Sequence, residues 1–226
     1  GETWGIEKGI IHGRPDSDET WARLDGVVGH VYRFRDGRGL RISMTCIDSG
    51  AHFTQEVYER TRARQPSRVF AVKGKGGEGV PFTAVPTQVS IRDKRVKAWL
   101  YTIGVDAGKA QIMSSLKVAE PGPRYCHFPK RPEAGYDETF FSGLRSERLV
   151  LSSSRTASKW QWEKLPGHER NEALDCRNYA IAALTIVNPD FDRLEQAIKG
   201  APANAAAPKP KKKKTRRRKS ALADSL

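Results

Sequence analysis

At 226 residues and 38% apolar content, the chain can bury one good-sized core, and nothing in it requires two. It holds no run of about 18 apolar residues to span a membrane and no signal-peptide pattern at Gly1-Glu2-Thr3-Trp4. Cys46, Cys126 and Cys176 are odd in number and form no CxxC pair, so a soluble, intracellular protein without a disulfide framework or structural zinc is expected.

In chain order, residues 1–30 read as a linker with a short helix at 18–28, for which Asp16 or Ser17 is the cap. Val31-Tyr32-Arg33-Phe34 and the run from Leu40 form a predicted β-hairpin across Asp36-Gly37-Arg38-Gly39. That second strand, 40–47, is rich in β-formers and stops at Asp48-Ser49-Gly50, after which 52–64 reads as a helix. A strand follows at 69–73, then a glycine-rich basic loop from Lys73 to Gly79. One or two strands are predicted over 87–106, ending at Asp106, with a helix over 107–116. A short strand at 125–128, a helix at 139–147 and a hairpin of 149–152 with 160–163 precede the break Pro166-Gly167-His168 and a last helix. The pattern is α/β, with a body over 31–200.

The net charge of +14 is shared unevenly: six lysines, three arginines and one aspartate after residue 200 carry +8 and leave +6 on the rest. Both parts fit a polyanionic partner. The tail over 201–226 has too little apolar surface to fold and is expected to be disordered. Its Lys211, Lys212, Lys213, Arg216 and Arg217 suit a nonspecific DNA tether, and equally a solubilising terminus.

The last helix is the most informative segment. Glu172 and Asp175 are three apart and share a face on its first turns, beside an apolar stripe of Leu174, Ile181 and Leu184, with Ala173, Ala180 and Ala183 permitting close approach. Carboxylates beside a packed face suggest a metal site. Asp48 and Asp106 each end a predicted strand, the edge where ligands collect in open α/β sheets, so Asp48, Asp106 and Asp175 are expected to converge. Both strand-end acids also suit plain turn or cap positions.

Other features carry less. The Lys73 to Gly79 loop lacks the glycine spacing and Lys-Ser/Thr of a phosphate loop, so no ATPase motif is present; Lys73 and Lys75 remain candidates for gripping a DNA backbone, as does Lys109. His52 and His127 read as structural residues. Trp160 and Trp162, alternating on a strand, read as packing rather than base stacking.

Several blocks together resemble the nuclease half of the lambda-type (GpA family) large terminase subunit of tailed bacteriophages. They are Ile47-Asp48-Ser49-Gly50-Ala51-His52-Phe53-Thr54-Gln55-Glu56-Val57-Tyr58, Val69-Phe70-Ala71-Val72-Lys73-Gly74, Ile103-Gly104-Val105-Asp106-Ala107-Gly108-Lys109, Pro121-Gly122-Pro123-Arg124-Tyr125-Cys126-His127-Phe128-Pro129 and Asn171-Glu172-Ala173-Leu174-Asp175-Cys176. Ile10-Ile11-His12-Gly13-Arg14-Pro15 with Trp21-Ala22-Arg23-Leu24-Asp25 resembles that family's connection between its halves, which makes 1–30 the linker from an ATPase half.

The resemblance implies a ribonuclease H-like (RuvC-like) fold, a mixed central sheet flanked by helices, that cuts concatemeric viral DNA during genome packaging with two Mg²⁺ or Mn²⁺ ions. Asp48, Asp106 and Asp175 take the roles of catalytic metal ligands, with Glu172 replacing or assisting Asp175. Double-stranded DNA, a terminase small subunit, a portal, a transient homodimer and the host cytoplasm follow as implied partners and setting. The competing reading is a noncatalytic DNA-binding or portal-docking module on the same fold.

Overall fold

The computed structural model describes residues 1–50, 52–92, 95–153, 158–168 and 170–202. The basic tail, and with it Lys211, Lys212, Lys213, Arg216 and Arg217, lies outside them. The chain divides into two compact units, one made of Gly1–His30 and Met44–Ile186, the other of Val31–Ser43 and the segment from Val187 onward.

The larger unit opens with β1 (Thr3–Trp4) and α1 (Asp18–Gly29). Ser17 is the residue before α1 but makes no side-chain capping bond, and Asp16 pairs with Arg14 instead. In the smaller unit, β2 (Val31–Arg33) and β3 (Gly39–Arg41) form the expected hairpin, with Val31 opposite Arg41 and Gly37 at a φ of 82° in the turn. The predicted strand over 40–47 is therefore two strands. Its first part belongs to this hairpin, and β4 (Thr45–Asp48) begins only after the break at residues 42–44, in the other unit. The β-forming composition is continuous, whereas pairing partners differ on either side of the break, and partners decide strand identity.

The central sheet has the order β4, β5 (Val69–Lys75), β7 (Lys97–Gly104), β6 (Thr87–Ser90). β4, β5 and β7 run parallel, and β6 is antiparallel to β7. Between β4 and β5, α2 (Thr54–Ala63) buries Val57, Tyr58 and Thr61 along one face. Val57 and Tyr58 pack on Ala71 of β5, Ala98 and Leu100 of β7 and Ile91. Val72, adjacent in β5, is fully buried, as the period of two requires when a strand is covered on both faces. β5 runs to Lys75, so Lys73 and Lys75 are strand residues with exposed side chains, and the loop starts at Gly76.

α3 (Val105–Ser115) starts one residue after β7, which puts Asp106 in a helix's first turn rather than on the strand. β8 (Cys126–His127) pairs in parallel with β1. α4 (Glu138–Leu144) is capped by Asp137, whose carboxylate accepts from the Phe140 amide at 2.8 Å. α4 is shorter than the predicted 139–147, and Glu147 instead opens β9 (Glu147–Ser153), which pairs with β10 (Ser158–Lys164) as an antiparallel hairpin. Trp160 on that hairpin is 61% exposed, so it does not pack as expected.

α5 (Glu172–Val187) closes a second core in which Leu174 meets Ile112 of α3 and Phe140 and Leu144 of α4, ringed by Phe128, Tyr136 and Phe141. The helix buries Leu174, Asn178, Tyr179, Ala182 and Ala183, while Leu184 and Ala180 are exposed. The buried stripe is thus rotated from the expected one, because Asn178 and Tyr179, polar in sequence, face inward. In the smaller unit α6 (Phe191–Lys199) is capped by Asp190, and its Ile198 carbonyl accepts from Arg38 of the β2–β3 hairpin at 2.9 Å. Among the described residues no helix is long and apolar enough to cross a membrane.

Candidate active site

Three parallel strands end at one edge of the sheet, and a chain leaving such an edge must turn sharply, which favours short polar residues. Asp48 is the last residue of β4, opposite Val72 of β5. Its Oδ1 accepts from the Gly50 amide at 2.9 Å, the turn Ser49 bonds through Oγ to the Val72 carbonyl, and Thr54 Oγ1 donates to the Ser49 carbonyl. The turn reading of Asp48 is therefore realised at one oxygen, while the carboxylate stays exposed. A cleft of about 290 Å³ opens beside it, walled by Trp21, Leu24, Ile47, Phe53 and Val57.

Asp106 lies past the end of β7, and its Oδ2 accepts from the Gly77 amide at 2.8 Å, fastening the loop that follows β5. Asp175 reaches the site from α5. Burial holds its carboxyl above the usual carboxylate range; the Lys109 ammonium opposes that shift, and the negative charges of Glu147 and Asp48 add to it. Asp48 and Asp175, from opposite ends of the sequence, are thus near enough to feel each other's charge. Tyr179, one turn along α5, is also pushed up, first by burial and then by the charges of Asp48 and Asp175. It stays a protonated phenol and donates to the Asp48 carboxylate.

Glu147 completes this group, and the sequence reading missed it. It is 7% exposed. Its Oε2 lies 2.6 Å from Lys109 Nζ, and its Oε1 accepts from Asn171 Nδ2 at 2.8 Å. The same Asn171 amide donates to Asp175 Oδ2 at 3.0 Å, and Lys109 Nζ is 3.9 Å from Asp175 Oδ1. The sequence carries no signal for Glu147, since Leu149-Val150-Leu151 is apolar without alternation; in the structure its partner across the hairpin is Lys164, whose charge also bears on Asp175.

The candidates therefore separate. Asp48 and Asp175 are coupled through their charges, Asp106 lies past a neighbouring strand end but serves the loop, and Glu172 stays outside, its side chain 64% exposed and 3.4 Å from Arg170. Lys109, expected to touch DNA backbone, is buried and faces carboxylates. His127 is structural as expected, stacked on Trp4 at 4.5 Å and bonded to Glu2. All three cysteines are free, and burial pushes the Cys46 thiol up to about 12, so it is no nucleophile at neutral pH. Among the described residues, no group of three or more His, Cys, Asp or Glu stands in a metal-holding cluster. Two carboxylates with waters are nonetheless what Mg²⁺ commonly takes from a protein, and Asp48 with Asp175 offers that pair.

The family described as the terminase large subunit gpA endonuclease domain matches residues 1–196. The chain belongs to that family. It is 35% identical over 189 residues to the terminase large subunit of Escherichia phage lambda and 34% identical over 191 residues to that of Enterobacteria phage P21, in each case over 82% of this chain. The chain spans 28% of the length of these curated relatives. No solved structure matches it. This gpA endonuclease domain thus has a mixed α/β body in which Asp48 at a strand end and Asp175 on α5 act on each other through their charges.

Proposed function

We propose that this gpA endonuclease domain is a metal-dependent endodeoxyribonuclease that cuts concatemeric viral DNA during genome packaging, on a ribonuclease H-like arrangement of strand-end and helix acids. The observation that supports the reading is that Asp48 and Asp175, an exposed and a half-buried carboxylate from distant parts of the chain, are near enough for the charge of one to act on the other, in a member of an endonuclease-domain family. Burying Asp175 is unfavourable for its charge, and costs of that kind cluster at functional sites.

Phosphodiester hydrolysis builds negative charge on the phosphorane and on the leaving oxygen, and a bound divalent ion offsets that charge and acidifies the attacking water. Asp48 and Asp175 would hold such an ion. Tyr179 orients Asp48 by donating to it, and Asn171 fixes the Asp175 carboxylate. Exposed Lys73 and Lys75, at the carboxyl end of β5, would take backbone phosphates. A two-ion form of this mechanism would need a further acid beyond Asp48 and Asp175, such as Asp106. The small subunit, the portal, a transient homodimer for staggered cuts and the host cytoplasm belong to the same proposal.

The domain should nick and degrade plasmid DNA with Mn²⁺, more weakly with Mg²⁺, and not at all in EDTA. Undiminished cleavage in EDTA would remove the metal mechanism. The competing reading, a noncatalytic DNA-binding or portal-docking module, gains from the separate role of Asp106. It is selected if DNA is retained on the protein but stays intact at every metal concentration.

The tail makes a separate expectation. Nine basic residues between Lys209 and Lys219 can displace counterions from duplex DNA, and the logarithmic salt slope scales at about 0.9 per phosphate neutralised. Truncation after Gly200 should weaken nonspecific binding and flatten its salt dependence, while the cleavage rate at saturating DNA and low salt stays close to that of the full chain. Equal affinities and slopes, read by fluorescence anisotropy across a salt series, would assign the tail to a protein partner instead.

A further inference from the structure

The polar cluster behind Asp48 is closed on itself. Lys109 and Glu147 are 10% and 5% exposed at their side chains, and the ammonium lies 2.6 Å from Glu147 Oε2 and 3.9 Å from Asp175 Oδ1. Asn171 Nδ2 bridges the remaining oxygens, bonding Glu147 Oε1 at 2.8 Å and Asp175 Oδ2 at 3.0 Å. Buried Glu147 and half-buried Asp175 thus face one ammonium and one amide, and negative charges held this close are stabilised by a cation near both. The ammonium occupies the space that any cation bridging these two carboxylates would need.

We propose that Lys109 is a built-in cation of the nuclease site, standing in place of a second divalent ion, so that the domain takes a single exchangeable ion at Asp48 and Asp175. The inference rests on the metal-nuclease reading above and deepens it. Both Glu147 oxygens already accept hydrogen bonds, one of them from the ammonium itself, so a metal would reach this acid only in competition with Lys109 and Asn171. Asp175 Oδ1 has the Lys109 ammonium 3.9 Å away, beyond hydrogen-bond distance, and Asp48 is exposed. An ion inserted between Glu147 and Asp175 would have to displace the ammonium or share its space, and like charges at that separation exclude each other.

The fold delivers Lys109 to this position by a close helix contact. Gly108 lets α3 lie against α5 at Asn178, and the Asn178 Nδ2 bond to the Val105 carbonyl at 3.0 Å pins the first turn of α3. The next residue, Lys109, then reaches the first turns of α5. Its role is to position Glu147 and Asp175 and set their charge, without contact to substrate.

The test counts Mn²⁺ ions bound by the whole protein without DNA, by electron paramagnetic resonance of free Mn²⁺ into the millimolar range. One ion per chain is expected for the wild type and for Lys109→Arg, which keeps the charge. Lys109→Gln, with its fold checked by circular dichroism, should bind two, because Glu147 and Asp175 become a vacant anionic pair. Adding Glu147→Gln to Lys109→Gln should return the count to one. Two ions on the wild type would overturn the proposal at once, whether or not the glutamine variants fold. One ion on both wild type and folded Lys109→Gln would overturn it while leaving the nuclease reading intact, whereas no ion on the wild type would sink both.

Discussion

Asp175→Asn is expected to lose DNA cleavage by more than about a hundredfold, since removing even an outer partner of a metal ligand costs about 10- to 100-fold, yet its metal-free form should melt no lower than the wild type. The carboxylate is held above its ordinary range chiefly by burial, so its ionised form is a net cost to the fold despite Lys109. An asparagine keeps an oxygen for the Asn171 amide and carries no charge to desolvate. The sign follows from the raised value. Below the ordinary carboxylate range Asp175 is protonated in both folded and unfolded chains and costs nothing, and as pH rises through the raised value the folded protein progressively loses stability relative to the variant. Melting curves in EDTA across the acidic range, paired with plasmid cleavage in Mn²⁺, read both effects. Asp48→Asn should lose cutting equally without a gain in stability, because Asp48 is exposed. Wild-type cleavage by Asp175→Asn would take this residue out of the site.

The local elements of this domain were legible because local rules govern them. Asp36-Gly37 announces the turn of the β2–β3 hairpin, and the helix expected over 52–64 forms as α2, burying Val57, Tyr58 and Thr61. The departures share one cause, which is that a distant partner decides the outcome. Residues 40–47 have one composition but two pairing partners. Glu147 has the propensity to extend α4, but hydrogen bonding to Lys109 and Asn171 together with pairing to Lys164 draws it into β9. Lys109 in a first helical turn looks exposed until α5 is laid beside it.

The acids illustrate the same division. Asp48 and Asp175 were found by position, at a strand end and on a small-residue helix, and their mutual influence fits that reading. Asp106 has the same sequence signature as Asp48 and a different surrounding. The loop after β5 returns over it, and the Gly77 amide takes its Oδ2. No pattern within either strand distinguishes the two, since the difference lies in what the intervening loop does. Glu172 and Asp175 differ likewise by which side of α5 meets Asn171 and Glu147.

Gly108→Ala should be among the most damaging single-methyl changes in the domain. In an open helix it would stabilise by about 1 kcal/mol. Here a Cβ at residue 108 would stand 1.8 Å from Asn178 Oδ1 and 2.6 Å from Phe82 Cε2, far inside contact distance. Asn178 is fully buried, so its amide has nowhere exposed to turn, and moving it breaks the Nδ2 bond to the Val105 carbonyl. Overpacking of this kind costs about 1–3 kcal/mol and a stranded buried polar group about 1–3 more, which leaves a net loss of about 1–5 kcal/mol after the helix gain. For a domain of this size that is a fall of about 2–20 °C in Tm, at about 2–4 °C per kcal/mol. Cleavage should fall as well, because α3 carries Lys109 into the acid cluster. Asn178→Ala removes the clashing amide, so the double variant should be less destabilised than the sum of the two single changes. Strict additivity in thermal melts, or a Gly108→Ala protein as stable as the wild type, would mean that α3 and α5 are not held together by this contact.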